Sequence, residues 1–295
     1  MPPAASDPGH GQKDELLVKS RLPLVRYVIL AVIVAAILSQ LFRPALVAQW
    51  YWASALEKLD AGDNDAAVRL GEQALDWSGD SPQMHLRMAE LLFRIERKED
   101  AIALIEKSED LLSDDPSDLA RASYFLSRMG AHEKALTLTD QLIEKAKVDE
   151  FQLHSALNQR AYATALAWSD GADLPQESLD QALDDINQAL QIYGIEASYL
   201  DTRGYLKHLA GDDQGALSDL NNAIPLFEAE ILAYEDKEDI WETAKQASLQ
   251  QMRGALGVLY HHRAETLQAL DRSDDAKQDM QQAEKLGYSR QAGHW

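Results

Sequence analysis

The chain contains no cysteine, so any chemistry it performs has to come from histidines, carboxylates and hydroxyls. That removes thiolate nucleophiles, disulfides, Cys-ligated zinc and iron–sulfur clusters. His261 and Glu265 stand four residues apart, which places both on one face of a helix, with His262 beside them. Two donors on one helix are too few for a closed metal site, which needs four ligands. The group therefore reads as a polar patch of a groove or surface. The carboxylate pairs Asp184-Asp185 and Asp212-Asp213 are the raw material of acid–base catalysis. They fall on polar faces or at turns, where carboxylates solvate the surface or favour a helix start. The stripe Phe151, Leu153, Leu157 and Tyr162 has the spacing of packed core. There is no Gly-rich phosphate loop with Lys, no His-Glu-x-x-His and no Gly-x-Ser-x-Gly elbow. The expectation is a protein with no catalytic residue, no metal and no cofactor.

The elements that position these residues follow from composition and repetition. Ala and Leu exceed a quarter of the 295 residues, while Gly (15) and Pro (9) are scarce, which favours helices over turn-rich sheet. Two segments align closely: Leu157-Asn-Gln-Arg160-Ala161-Tyr162 and Leu200-Asp-Thr-Arg203-Gly204-Tyr205. A third copy, Tyr260-His-His-Arg263-Ala264-Glu265, is weaker. Each precedes a second matching segment: Ala182-Leu-Asp-Asp-Ile-Asn-Gln-Ala189, Ala216-Leu-Ser-Asp-Leu-Asn-Asn-Ala223 and Ala276-Lys-Gln-Asp-Met-Gln-Gln-Ala283. These share Ala, an Asp three residues on, and Ala seven on. Alanines seven apart lie on one helical face.

On these residues the chain resembles the tetratricopeptide repeat family, whose 34-residue helical hairpins pack closely through a small residue on the first helix and two alanines on the second. Ala67, Ala101 and Ala135 are spaced by 34, as are Ala182 and Ala216. Gly62, Gly130 and Gly211 stand at the turn before the second helix, where a positive φ is needed. The resemblance covers residues 48–286. It implies an all-α, tetratricopeptide-like right-handed solenoid of about six hairpins within a 48–295 domain, with Gly287 to Trp295 capping the array. Two insertions interrupt the period. One, at about 169–178, is expected to be mostly loop; the other, at about 226–256, is expected to lengthen helices. Lys58, Ser108 and Leu142 depart from the family pattern.

The same resemblance implies a concave groove lined by the first helices. Carried onto the best-matched repeats, its lining is Asn158, Tyr162, Asp201, Tyr205, His208, His261 and Glu265. This mixture does not look like the clamp with which some family members hold acidic peptide tails. The two tyrosines are expected either to anchor a partner or to pack between repeats. Asp201 and Glu265 bias the groove toward basic or neutral protein or peptide segments rather than acidic ones.

The span Leu22 to Phe42 has twelve uninterrupted apolar residues at its centre, Tyr27 to Leu38, and 21 residues suffice for a bilayer core. Lys13, Lys19, Arg21 and Arg26 precede it, and only Arg43 closely follows. The expectation is a signal anchor at 22–43 with a disordered cytoplasmic tail at 1–21 and the acidic bulk outside, as in a single-pass bacterial inner-membrane protein with a periplasmic repeat domain. A cleaved signal peptide is the alternative. Trp50, Tyr51 and Trp52 suit either an interfacial belt or the core of the first repeat. A formal net charge of -21 disfavours nucleic acid. The functional expectation is a tethered interaction scaffold without catalysis. A self-associating envelope protein, with homo-oligomers, and a helical enzyme with an unrecognised site are the alternatives.

Overall fold

The computed structural model describes the backbone of residues 11–112, 115–147, 150–237 and 240–288, and the side chains of these apart from 11–25, 38–43 and 150–151. All regular structure among the described residues is helical, and the chain divides into two compact units, Met1–Met84 and His85–Trp295.

In the first unit, α1 (Gly11–Asp60) and α2 (Asn64–Ser78) form a hairpin. Gly62 makes the turn at φ 76°, and the Asp63 side chain caps α2 by accepting from the Ala66 amide. Ala48, Ala74 and Met84 are the core of this unit, with Tyr51, Trp52 and Leu75 packed against them. Tyr51 and Trp52 are therefore core aromatics, whereas Trp50 is exposed. Residues 11–21, expected to be disordered, belong to α1. Between Gln12 and Leu22 there is neither Gly nor Pro, and Glu, Leu and Lys are good helix formers. Residues 1–10 lie outside the described part. Tyr27 to Ile37 are exposed apolar residues on α1. The side chains that would complete the span, at 22–25 and 38–42, lie outside the described residues. Among the described residues no helix is long and apolar enough to cross a membrane.

Helix α3 (Pro82–Arg94) crosses the boundary between the units. In the second unit it is followed by α4 (Lys98–Lys107), the single turn α5 (Glu109–Leu112), α6 (Pro116–Arg128), α7 (His132–Ala146), α8 (Glu150–Ser169), α9 (Gln176–Tyr193), α10 (Ala197–Leu209), α11 (Asp213–Glu235), α12 (Glu242–Ala269) and α13 (Ser273–Lys285). Each of α6, α8, α10 and α12 pairs with the helix after it. The first helices also touch one another in succession, and α7, α9 and α11 each touch the first helix of the next hairpin. This is a solenoid in which every hairpin covers its neighbour's apolar face.

Ala67, Ala101, Ala135, Ala182, Ala216 and Ala276 are all buried. A Cβ on Gly204 would come within 3.0 Å of Leu220 Cγ and 3.3 Å of the Ala216 carbonyl, so α10 and α11 approach as they do only because that position lacks a side chain. The turn conformation persists where glycine is missing: Glu96 and Asp271 take the left-handed position at φ 64° and 60°.

The expected loop at 169–178 is shorter than the sequence suggested. Only residues 170–175 separate α8 from α9, because Pro175, with φ set near -66°, leads directly into a helix that starts early. The residues in excess of the period extend α8 and α9 instead. At the second insertion α11 continues through Pro225 to Glu235, and α12 gains residues at its start. The cap expected from Gly287 to Trp295 is described only to Tyr288.

Candidate functional site

Three matched arginines on the first helices each hold a matched aspartate on the second. Arg160 binds Asp185 through Nε (2.6 Å) and Nη2 (2.8 Å), Arg203 binds Asp219 (2.8 and 2.7 Å), and Arg263 binds Asp279 (2.6 and 2.8 Å). The remaining guanidinium nitrogen reaches back to the preceding second helix, to Asp140 (2.8 Å), Asn187 (3.3 Å) and Asn221 (3.1 Å) respectively. Each arginine thus ties three helices of two successive repeats with bidentate geometry. Asp185 is buried in this pairing, so its assignment to a polar surface is corrected. The i,i+1 repetition of Asp184-Asp185 concealed that only one of the two faces inward. Burial pushes the Asp219 carboxyl up, but the bonds from Arg203 and from Lys207 (2.7 Å) outweigh it and hold the group below its ordinary value.

These clamps lock the helices that carry the expected groove lining. Asn158 and Tyr162 lie on α8, Asp201, Tyr205 and His208 on α10, and His261 and Glu265 on α12, and the three helices touch in that order. Tyr162 stacks on Tyr124 of α6 with ring centroids 6.4 Å apart, and the Arg128 guanidinium lies over both Tyr124 (5.6 Å) and Phe93 (5.3 Å). Burial raises the Tyr162 phenol well above its ordinary value. The ring of Tyr205 stacks on His262 at 3.8 Å, and its hydroxyl donates to Ser169 Oγ at 2.9 Å. His262 Nδ1 and Asp201 Oδ1 are 2.9 Å apart. His261 stacks on Tyr288 at 4.2 Å. His208 Nδ1 lies 2.6 Å from Asp213 Oδ1.

Tyr205 is 3% exposed, and Asp201 and His261 are also buried. Their assignment to an open groove surface is corrected: His262 of α12 lies over the Tyr205 ring and pairs with Asp201, and Tyr288 covers His261. Tyr162, Asn158, His208 and Glu265 remain partly exposed. Of these, the Asn158 side-chain oxygen and Glu265 Oε2 are buried acceptor atoms with no donor among the described residues. Tyr124, Arg128 and His262 were missed by sequence reasoning. Tyr124 and Arg128 sit in a repeat whose first-helix pattern is weak, and His262 was visible only as a neighbour of His261. Phe151 lies outside the residues whose side chains are described; Leu157, of the same stripe, is buried core. His261 Nε2 and Glu265 Oε1 are 3.5 Å apart, and among the described residues no three His, Asp or Glu side chains are gathered to hold a metal ion.

Residues 58–124 match the family model described as tetratricopeptide repeat. That segment carries the repeat signature. No curated protein matches the chain. Among solved structures it is similar to a tetratricopeptide repeat protein from Parabacteroides merdae, at 15% identity and TM-score 0.48, with 84% of this chain and 96% of that one covered. It is similar to PilF of Pseudomonas aeruginosa at 13% identity and TM-score 0.46, covering 83% and 93%. It is also similar to MamA of Desulfovibrio magneticus at 16% identity and TM-score 0.44, covering 62% and 96%. Tetratricopeptide repeats are in general modules that bind protein or peptide partners rather than catalysts.

Proposed function

We propose that this protein is a membrane-tethered interaction scaffold without catalytic activity, which holds a basic or neutral protein segment against the first-helix face of its second unit. The observation that carries the reading is a row of partly exposed side chains, Asn158 and Tyr162 on α8, His208 on α10 and Glu265 on α12, carried by three first helices that touch in order. The Glu265 carboxylate biases this row toward cationic side chains, and the Asn158 amide can exchange hydrogen bonds with a partner's backbone. Lys and Arg side chains meet the first of these preferences, whereas the carboxylates of an acidic segment would be repelled by Glu265. Tyr162 and Tyr124 add stacked aromatic area beside Asn158.

The tether reading rests on the exposed apolar run Tyr27 to Ile37 on α1 and on the basic residues that precede it. It places the N-terminus in the cytoplasm of a bacterium and the repeats in the periplasm. Protease added to spheroplasts should digest residues 48 onward; full protection of the repeats would refute this topology. For the scaffold itself, the test is capture from a detergent extract by the full chain beside an Asn158→Ala/Glu265→Gln variant. A partner retained by the wild type and lost by the equally folded variant supports the assignment. Equal retention by both places the partner elsewhere.

A further inference from the structure

A further concavity is lined by none of the groove residues. Between α9, α10 and α11 an open cleft of about 710 Å³ has the clamped Arg203–Asp219 pair among its lining residues, together with Leu190, Ile195 and Leu226. Its apolar lining is not sealed by neighbouring helices: Ile195, in the link between α9 and α10, is 78% exposed and Leu226 is 40% exposed. Isolated exposed apolar residues are ordinary, but apolar residues grouped around a concavity mark a contact site.

Two carboxylates that interact with one another adjoin this lining. Glu196 follows Ile195 directly, and Glu230 lies one helical turn beyond Leu226 on the same face of α11. We propose that this cleft is a docking site for a basic amphipathic segment of a partner protein, with an apolar side chain entering between Ile195 and Leu226 and a Lys or Arg set against Glu196 and Glu230. Burial and then the negative charge of Glu196 both push the Glu230 carboxyl above its ordinary value. A cation placed between the two would relieve the second of these effects. The guanidinium in the cleft offers no competing attraction for an acidic segment, because Asp219 and Asn187 occupy it.

The test uses the full chain in non-ionic detergent and a short fluorescein-labelled Leu/Lys helical peptide read by anisotropy. A Ser/Lys peptide of equal charge and a Leu/Glu peptide serve as counterparts. Differences between protein variants are compared, so that partition of the peptides into micelles cancels. Ile195→Ser and Leu226→Ser should each weaken binding of the Leu/Lys peptide about tenfold, and Glu230→Gln about threefold. The Ser/Lys and Leu/Glu peptides should bind at least about tenfold more weakly than Leu/Lys. Ile195 is so exposed that its replacement leaves the core intact, and loss of folding cannot imitate the effect. The proposal is overturned if the cleft variants bind like wild type, which would mean attraction by overall acidity. It is overturned if the Leu/Glu peptide binds equally well. It also fails if Leu226→Ser dissolves a self-dimer without changing peptide affinity, since the occupant would then be a second copy. The Asn158→Ala/Glu265→Gln variant should bind the peptide normally; loss there would assign it to the groove instead.

Discussion

Replacing Asp219 with Ala should destabilise the second unit far more than removing any exposed carboxylate. The Asp219 side chain is 6% exposed and accepts three charge-assisted bonds of 2.7–2.8 Å, two from Arg203 and one from Lys207. Breaking a buried ion pair by deleting one partner costs about 3–5 kcal/mol when the stranded charge is fully enclosed. Here Arg203 is 24% exposed, keeps its bond to Asn187, and Lys207 can turn to solvent, so roughly half of that cost, about 2 kcal/mol, is expected. In a unit of this size that is a fall in melting temperature of about 4–8 °C. Glu90→Ala, which removes the exposed 3.5 Å pair with Arg121, should change stability by less than about 0.5 kcal/mol. The pH dependence has a definite sign. Because the folded carboxyl titrates below its ordinary 3.8, its stabilisation is complete above that value and is lost as pH falls through the lower folded pKa. The gap between wild type and Asp219→Ala should therefore narrow below pH 3.8. Adding Arg203→Met to Asp219→Ala should recover stability, since it removes the stranded charge. Urea denaturation at neutral and acid pH measures all of this. An Asp219→Ala cost no larger than that of Glu90→Ala, or a gap that does not narrow in acid, would refute the Arg203–Asp219 pair as a stabilising buried clamp within its hairpin.

Three further outcomes follow from the packing. Gly204→Ala should cost about 1–2 kcal/mol, overpacking against Leu220 and the Ala216 carbonyl outweighing the gain in helix propensity, whereas Gly254→Ala, with nothing within 4 Å of the new Cβ, should stabilise by about 0.5–1 kcal/mol in the same melts. Glu96→Gly relieves a left-handed non-glycine residue at an exposed turn and should raise stability by about 0.5 kcal/mol after the added chain entropy, with a smaller gain for Asp271→Gly because Asp tolerates that conformation better. Tyr205→Ala should chiefly lower the melting temperature, by the equivalent of about 3 kcal/mol, while Tyr205→Phe loses only the bond to Ser169 at about 1 kcal/mol; a fall in partner affinity without a fall in stability would restore it to the groove surface.

What could be read from the sequence was whatever the 34-residue period encodes locally. Ala216 and Gly211 are recognisable because a turn and a helix crossing each demand a small residue at a fixed offset, and the structure places both where those offsets require. The groove lining was only half legible, because exposure depends on what the next hairpin does. Asn158 and Glu265 stay partly exposed, yet Tyr205, at the position equivalent to Tyr162, is covered, since the next first helix brings His262 rather than His261 over its ring. The residues of the clamps were visible, but only Asp185 among them was given a place, on a polar face. Arg160, Arg203 and Arg263 recur with the small residue, and Asp185, Asp219 and Asp279 recur three residues after the first alanine, but a single polar residue carries no sign of burial by itself. Two matched polar series of opposite charge, one on each helix of a hairpin, do carry that sign: repeated together, they pair across the hairpin as surely as the alanines do. Asp140, Asn187 and Asn221 then mark the third point of contact, a position whose acceptor is kept while its charge is not. That pattern is what a bridge to the previous hairpin requires, because the guanidinium is already neutralised by the aspartate of its own repeat and needs from the neighbour only an oxygen.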